Sequence, residues 1–107
     1  MGEKQITPFQ ASDAWLLLAI LYNGEQGAGI EGIIRAGDFI NHAIFTDDEL
    51  QSGLTRLQEA GLVERSGDIY RASPAAWSAH VSKKRRYVFK ELEDMERFLN
   101  DDWITRE

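Results

Sequence analysis

The sequence predicts a mainly α-helical fold with one small β-hairpin, over residues 12–73, continued by a long amphipathic C-terminal helix over residues 74–107. Three observations predict it. The run Trp15 to Tyr22 is apolar on almost every side, which marks a helix buried at the centre of a core. Thr46-Asp47-Asp48-Glu49 stands immediately before a leucine-spaced stretch, the pattern of a capped amphipathic helix. Two short segments rich in apolar residues flank Ser66-Gly67-Asp68, where a chain reverses between strands.

Residues 1–11 have no periodicity and read as a flexible lead-in. Ser12 is a candidate N-cap for the first helix, with Asp13 in the first turn where the helix dipole favours an acid. Asn23-Gly24 stops that helix. A glycine-rich link, Gly24 to Gly29, leads to a second helix from Ile30 to about Ile44, whose apolar face is Ile33, Ile34, Gly37, Ile40 and Ile44. Glycine weakens a helix interior by about 1 kcal/mol relative to alanine, so Gly37 implies a close approach by another element. In the third helix the Thr46 hydroxyl can accept from the Glu49 amide while the Glu49 carboxylate accepts from the Thr46 amide. Leu50, Leu54 and Leu57 form its buried stripe, and Gly61 ends it. The hairpin runs Leu62–Arg65, a turn, then Ile69–Ala72. Ser73-Pro74 supplies an N-cap followed by proline at the first helical position. The expected core is Trp15, Leu18, Leu21, Ile34, Ile40, Leu50, Leu54, Leu57, Leu62 and Ile69.

This order of elements, together with Thr46-Asp47-Asp48-Glu49-Leu50 and Leu54-Thr55-Arg56-Leu57-Gln58-Glu59-Ala60-Gly61-Leu62-Val63-Glu64-Arg65, resembles the winged helix-turn-helix superfamily. In such proteins the third helix enters the major groove of DNA. The resemblance therefore implies a DNA-binding transcriptional regulator. Ser52, Thr55 and Arg56 of the third helix and Arg65 and Arg71 of the hairpin are then the candidate contacts, with Arg35 and the run Lys83-Lys84-Arg85-Arg86 for phosphates.

The charge distribution weighs against that function. The chain carries 18 acids and 12 bases, a net charge of −6. Residues 1–82 hold eleven acids and five bases, and residues 91–107 seven acids and two bases, so the excess of bases is confined to residues 83–90. With the leucines turned inward, the opposite face of the third helix shows Asp48, Ser52, Thr55, Arg56 and Glu59, a poor surface for phosphate and for guanine. Any DNA binding is expected to be weak and salt-dependent. The alternative function is a winged-helix protein-interaction or assembly module that does not touch DNA, and a third is an enzyme accessory or a small-ligand sensor.

No pattern for catalysis, cofactor or metal stands out. Gly27-x-Gly29-x-x-Gly32 fits the dinucleotide fingerprint, but the chain after Gly32 reads as a capped helix and a hairpin rather than further βαβ units, so these glycines read as a link between helices. His42 reads as a helix-end residue and His80 as an exposed one, without spaced ligand partners. No serine sits in a nucleophile motif. With no cysteine, disulfides and thiolate metal sites are excluded, which suits a reducing cytoplasm. The apolar run Trp15 to Tyr22 has eight residues, against the ~20 needed to span a bilayer, and the N-terminus lacks the pattern of a signal peptide.

The C-terminal segment predicts self-association. Trp77, Val81, Lys84, Val88, Leu92, Met95 and Leu99 fall on one line of a helix, and only Lys84 is polar. A continuous helix from Pro74 to Leu99 is about 39 Å long, whereas a core of this size has a radius of gyration of only about 12 Å. The overhanging stripe of Trp77, Val81, Val88, Leu92, Met95 and Leu99 is then expected to be buried against a second copy, giving a two-fold homodimer. The other possibility is a break near Arg86-Tyr87 that folds the second half back onto the first helix.

The capping box yields a direct expectation. Thr46→Ala should lower stability by about 1 kcal/mol, measured by thermal or urea denaturation; an unchanged melt counts against the cap.

Overall fold

The apolar run forms α1, Ala11–Tyr22, and the other elements are laid around it. The computed structural model describes residues 9–81 and 88–103. Within them α1 is followed by α2 (Ile30–Asn41), α3 (Asp47–Glu59), β1 (Val63–Ser66), β2 (Ile69–Ala72), α4 (Pro74–Val81) and α5 (Val88–Arg97), which continues into a π-helical turn, Phe98–Trp103. Every residue of α1 from Asp13 to Leu21 is buried, because α2, α3, α5 and β2 all pack on it. The molecule is thus mainly helical with a two-stranded antiparallel hairpin and a C-terminal helix, an arrangement compatible with a winged-helix layout.

The helix ends follow from local chemistry. α1 starts earlier than Ser12 would place it. Gln10 is the extended N-cap residue, and its amide donates to the Asp13 carboxylate at 2.9 Å, leaving Ser12 inside the first turn. Phe9, just outside the cap, is buried in the core rather than part of a loose lead-in, in the position of a hydrophobic staple. Thr46 caps α3 as the sequence predicts: the Glu49 amide donates to its hydroxyl at 3.0 Å, and its own amide donates to the Glu49 carboxylate at 2.9 Å. At the other end Gly61 takes a left-handed φ of 78°, so that the Leu62 amide reaches the Leu57 carbonyl and the Gly61 amide that of Gln58. The Ser73 hydroxyl accepts from the Ala76 amide at 3.3 Å and opens α4 with Pro74 behind it.

α2 is shorter than its apolar spacing suggests. It stops at Asn41 because His42 adopts a left-handed conformation, φ 53°, so Ile44 leaves the helical face and is 61% exposed. Phe45 takes the buried place instead and stacks on Trp15 with ring centroids 3.8 Å apart. This explains Gly37: a Cβ there would come within 2.4 Å of the Phe45 ring. The close approach is by an aromatic side chain, and the Trp15 indole donates to the Gly37 carbonyl at 2.9 Å.

β1 and β2 pair from Val63 opposite Ala72 to Ser66 opposite Ile69, joined by Gly67-Asp68 with Gly67 at positive φ. The glycine-rich link does more than connect helices. Ala28 pairs with Tyr70 by two backbone hydrogen bonds, an isolated antiparallel bridge on the free edge of β2. Gly27 must be glycine: its φ is 81°, and a Cβ would meet the Tyr70 carbonyl at 2.4 Å. Eight of the ten expected core residues are buried; Ile34 is half-buried, and Ile69, beside the turn, is 39% exposed.

The C-terminal segment is not one overhanging rod. His80 Nε2 and Glu91 Oε1 are 3.8 Å apart, whereas eleven residues of straight helix would separate them by about 16 Å along the axis. α4 and α5 are therefore not one straight helix, and α5 lies on α1. Met95 and Leu99 are buried in the core, and Leu92, Phe98 and Trp77 are half-buried against it. Val81, by contrast, is 66% exposed. Val88 opens α5, and Lys84 lies outside the described residues. The stripe expected to seal a dimer is thus covered mainly from within the same chain. An acidic, partly apolar surface helix needs such cover, and α1, apolar all round, offers it.

Met95→Ala and Leu99→Ala should each lower the free energy of unfolding in urea by about 2–5 kcal/mol, independently of protein concentration. A loss that grows on dilution would show that these residues close a seam between two copies.

Candidate functional site

The site is built from a charge that the core cannot leave alone. Asp13 is the one charged residue in α1 and is fully buried. A buried carboxylate must be paired and hydrogen-bonded. Arg56, in the last turn of α3, closes on it as a two-pronged clamp, with Nε to Oδ2 at 2.7 Å and Nη2 to Oδ1 at 2.8 Å. The guanidinium is only 15% exposed. Its hydrogen bonds to Asp13, then the charges of Asp13 and Asp48, hold the Arg56 pKa above its usual value despite partial burial, so it stays cationic at any ordinary pH. Gly53, one turn before Arg56, permits the approach: a Cβ there would lie 2.7 Å from Leu16 Cδ2 and 2.9 Å from Asp13 Oδ1.

The pairing changes what α3 offers a partner. The helix has four acids and one base, and the base is turned inward. Arg56 is therefore a clamp between helices and not an outward contact, because the buried Asp13 outcompetes solvent for it. Thr55 donates its hydroxyl proton to the Gln51 carbonyl and Ser52 donates to Asp48, so both expected contacts are engaged along the helix. What remains outward is acidic: Asp47, Asp48 and Glu59 are exposed.

The hairpin arginines stay exposed. Arg65 donates from Nε to the Gly67 carbonyl at 2.8 Å and lies 5.5 Å from the centre of the Tyr70 ring. Arg71 is exposed and stands in register opposite Glu64. Arg35 sits 3.8 Å from Glu31 on the outer face of α2. Lys83, Lys84, Arg85 and Arg86 lie outside the described residues. No single face among the described residues gathers Arg56, Arg65 and Arg71 as free cations.

Two further features lie away from α3. The Tyr22 hydroxyl donates to Glu91 at 2.8 Å, and His80 approaches the other oxygen of the same carboxylate, so one acid ties α1, α4 and α5 together. His80 is accordingly half-buried rather than exposed, packed edge-on by Trp77. Where the hairpin meets α4 there is an open groove of about 640 Å3 with Trp77 and Val81 on α4 and Glu64 and Arg71 on the strands.

Among the described residues no three histidine, aspartate or glutamate side chains converge to hold a metal ion, and no helix is long and apolar enough to cross a membrane. The roles of Asp13, Gly53 and Tyr22 with Glu91 escape a reading of periodicity. The first two left a signal: a single acid in an apolar helix requires a cation, and a glycine in mid-helix three residues before the only arginine of α3 marks where it arrives.

No family model matches the chain, and no curated protein or solved structure matches it either.

Proposed function

We propose that this chain is a non-enzymatic winged-helix module that binds protein and does not bind DNA. The order helix, single paired residue, helix, helix, hairpin supports the winged-helix layout. The observation that carries the function is the Asp13–Arg56 clamp. In the DNA-binding mode the third helix lies in the major groove and its side chains reach base edges and phosphates. Here the one cation of that helix is committed to a buried acid, and the exposed charges beside it are carboxylates. The chain carries 18 acids and 12 bases, a net −6, with the excess of bases confined to residues 83–90. Such a surface repels a polyanion and attracts cationic segments of proteins.

The test is fluorescence anisotropy of a labelled random-sequence DNA duplex titrated with the full chain. At ~50 mM salt no saturable binding is expected at micromolar protein, and any residual signal from the 83–86 run should vanish by ~200 mM. Binding with a Kd near 10 nM at physiological salt, roughly the range of specific regulators, would overturn the proposal.

A further inference from the structure

The end of α1 carries a reactive dipeptide that the fold holds shut. Asn23-Gly24 is the only asparagine–glycine pair in the chain; the other asparagines, Asn41 and Asn100, precede histidine and aspartate. An asparagine before glycine is the pair most open to ring closure, because the attacking backbone nitrogen belongs to a residue with no Cβ to hinder it. In the folded chain the groups that this reaction needs are engaged elsewhere. Asn23 Nδ2 donates to the Ala19 carbonyl at 3.0 Å and to the Gly32 carbonyl at 3.1 Å, which ties the end of α1 to the first turn of α2. The Gly24 amide donates to the Leu21 carbonyl at 3.0 Å. Asn23 has ψ 0°, which eclipses the Gly24 nitrogen with the Asn23 nitrogen and turns it away from Cγ. Gln26 donates to the Asn23 carbonyl at 2.6 Å and holds that peptide plane in place.

We propose that Asn23 is a deamidation site gated by opening of the α1–α2 junction, and that the product does not reseat. When the junction opens, the Gly24 amide nitrogen gives its proton to solvent base and attacks Asn23 Cγ. The N–Cγ bond forms, the Cγ–Nδ2 bond breaks, and Nδ2 leaves as ammonia with a proton from water. Water then adds to either carbonyl of the succinimide and opens it to aspartate or isoaspartate, with no oxidation or reduction. The new carboxylate has no proton to donate. An oxygen in place of Nδ2 faces the Ala19 and Gly32 carbonyl oxygens, so two attractions become two repulsions. Asn23 is half-buried, so water does not fully replace the lost bonds. Isoaspartate in addition routes the main chain through Cβ and lengthens it at the helix end. The reaction thus turns a transient local opening into a permanent one.

The experiment incubates the full chain in mildly alkaline buffer, with and without denaturing urea, and follows Asn23 by peptide mapping that separates aspartate from isoaspartate. In urea Asn23 should convert ahead of Asn41 and Asn100. In the folded chain its conversion should be slower by about tenfold or more, because only the opened fraction reacts. Asn23→Asp should unfold at a lower urea concentration than Asn23→Ala at neutral pH, since alanine loses the two bonds without adding repulsion. That gap should close in acid: two facing carbonyl oxygens raise the carboxyl pKa in the folded state, so the penalty is present at neutral pH and is lost as the pH falls through that pKa. Equal rates with and without urea would overturn the gating, and an Asn23 that stays intact in urea would overturn the site. An Asn23→Asp variant as stable as Asn23→Ala would overturn the claim that the product does not reseat. The comparison of rates is made on the parent chain, so it stands whether or not the variants fold.

Discussion

A carboxylate placed in an apolar helix dictates much of what surrounds it. Asp13 sits in the first turn of α1, caps the Gln10 amide and is fully removed from water. Left alone it would be costly enough to unfold a domain of this size. Arg56 answers it with both prongs of the guanidinium, which requires α3 to cross α1 closely, which in turn requires glycine at position 53. The position and rotation of α3 are thus set by one ion pair as much as by Leu50, Leu54 and Leu57. A buried pair of this kind is weak evidence for extra stability compared with an apolar pair, and stronger evidence that one arrangement of the helices is specified.

The same commitment reaches the surface. By consuming the only cation of α3, the core leaves an outward face whose charges are acidic, and this face is a poor match for a nucleic acid. Apolar side chains of the C-terminal segment fall into two groups. Met95 and Leu99 pack into the core with α1, so this part of the C-terminal segment completes the core. Trp77 and Val81 stay at the margin of that packing and line the groove beside the hairpin. Glu91, shared by Tyr22 and His80, sets where α5 comes to rest between the two.

Much of this is legible in the residues, for identifiable reasons. The Thr46 capping box, the Gly61 stop and the Ser73-Pro74 start are local devices whose hydrogen bonds close within a few residues, and each is formed as the sequence implies. Tertiary competition is less legible. The spacing of Ile44 continues the α2 face, but His42 ends the helix and Phe45 fills the space against Trp15. The 77–99 stripe reads as one long helix because periodicity is blind to a break: its second half is a good helix in either case, and only the unusually apolar surface of α1 hints that a cover is needed. Arg56 reads as outward because position 56 lies just off the leucine stripe; the glycine at 53 widens the buried face enough to bring it in. The pairing of Ala28 with Tyr70 has no pattern at all, since a single paired residue is too short to alternate.

The central claim is that Asp13 and Arg56 act as one unit that holds α1 against α3. A double-mutant cycle in urea denaturation tests it, using Asp13→Leu, Arg56→Met and the pair together. Each single change strands a buried charge or its partner and should cost about 3–5 kcal/mol, whereas the double change should recover a large part of that loss. Singles that cost little, or a double variant whose loss equals their sum to within about 0.5 kcal/mol, would show that the two residues act independently and would contradict the account.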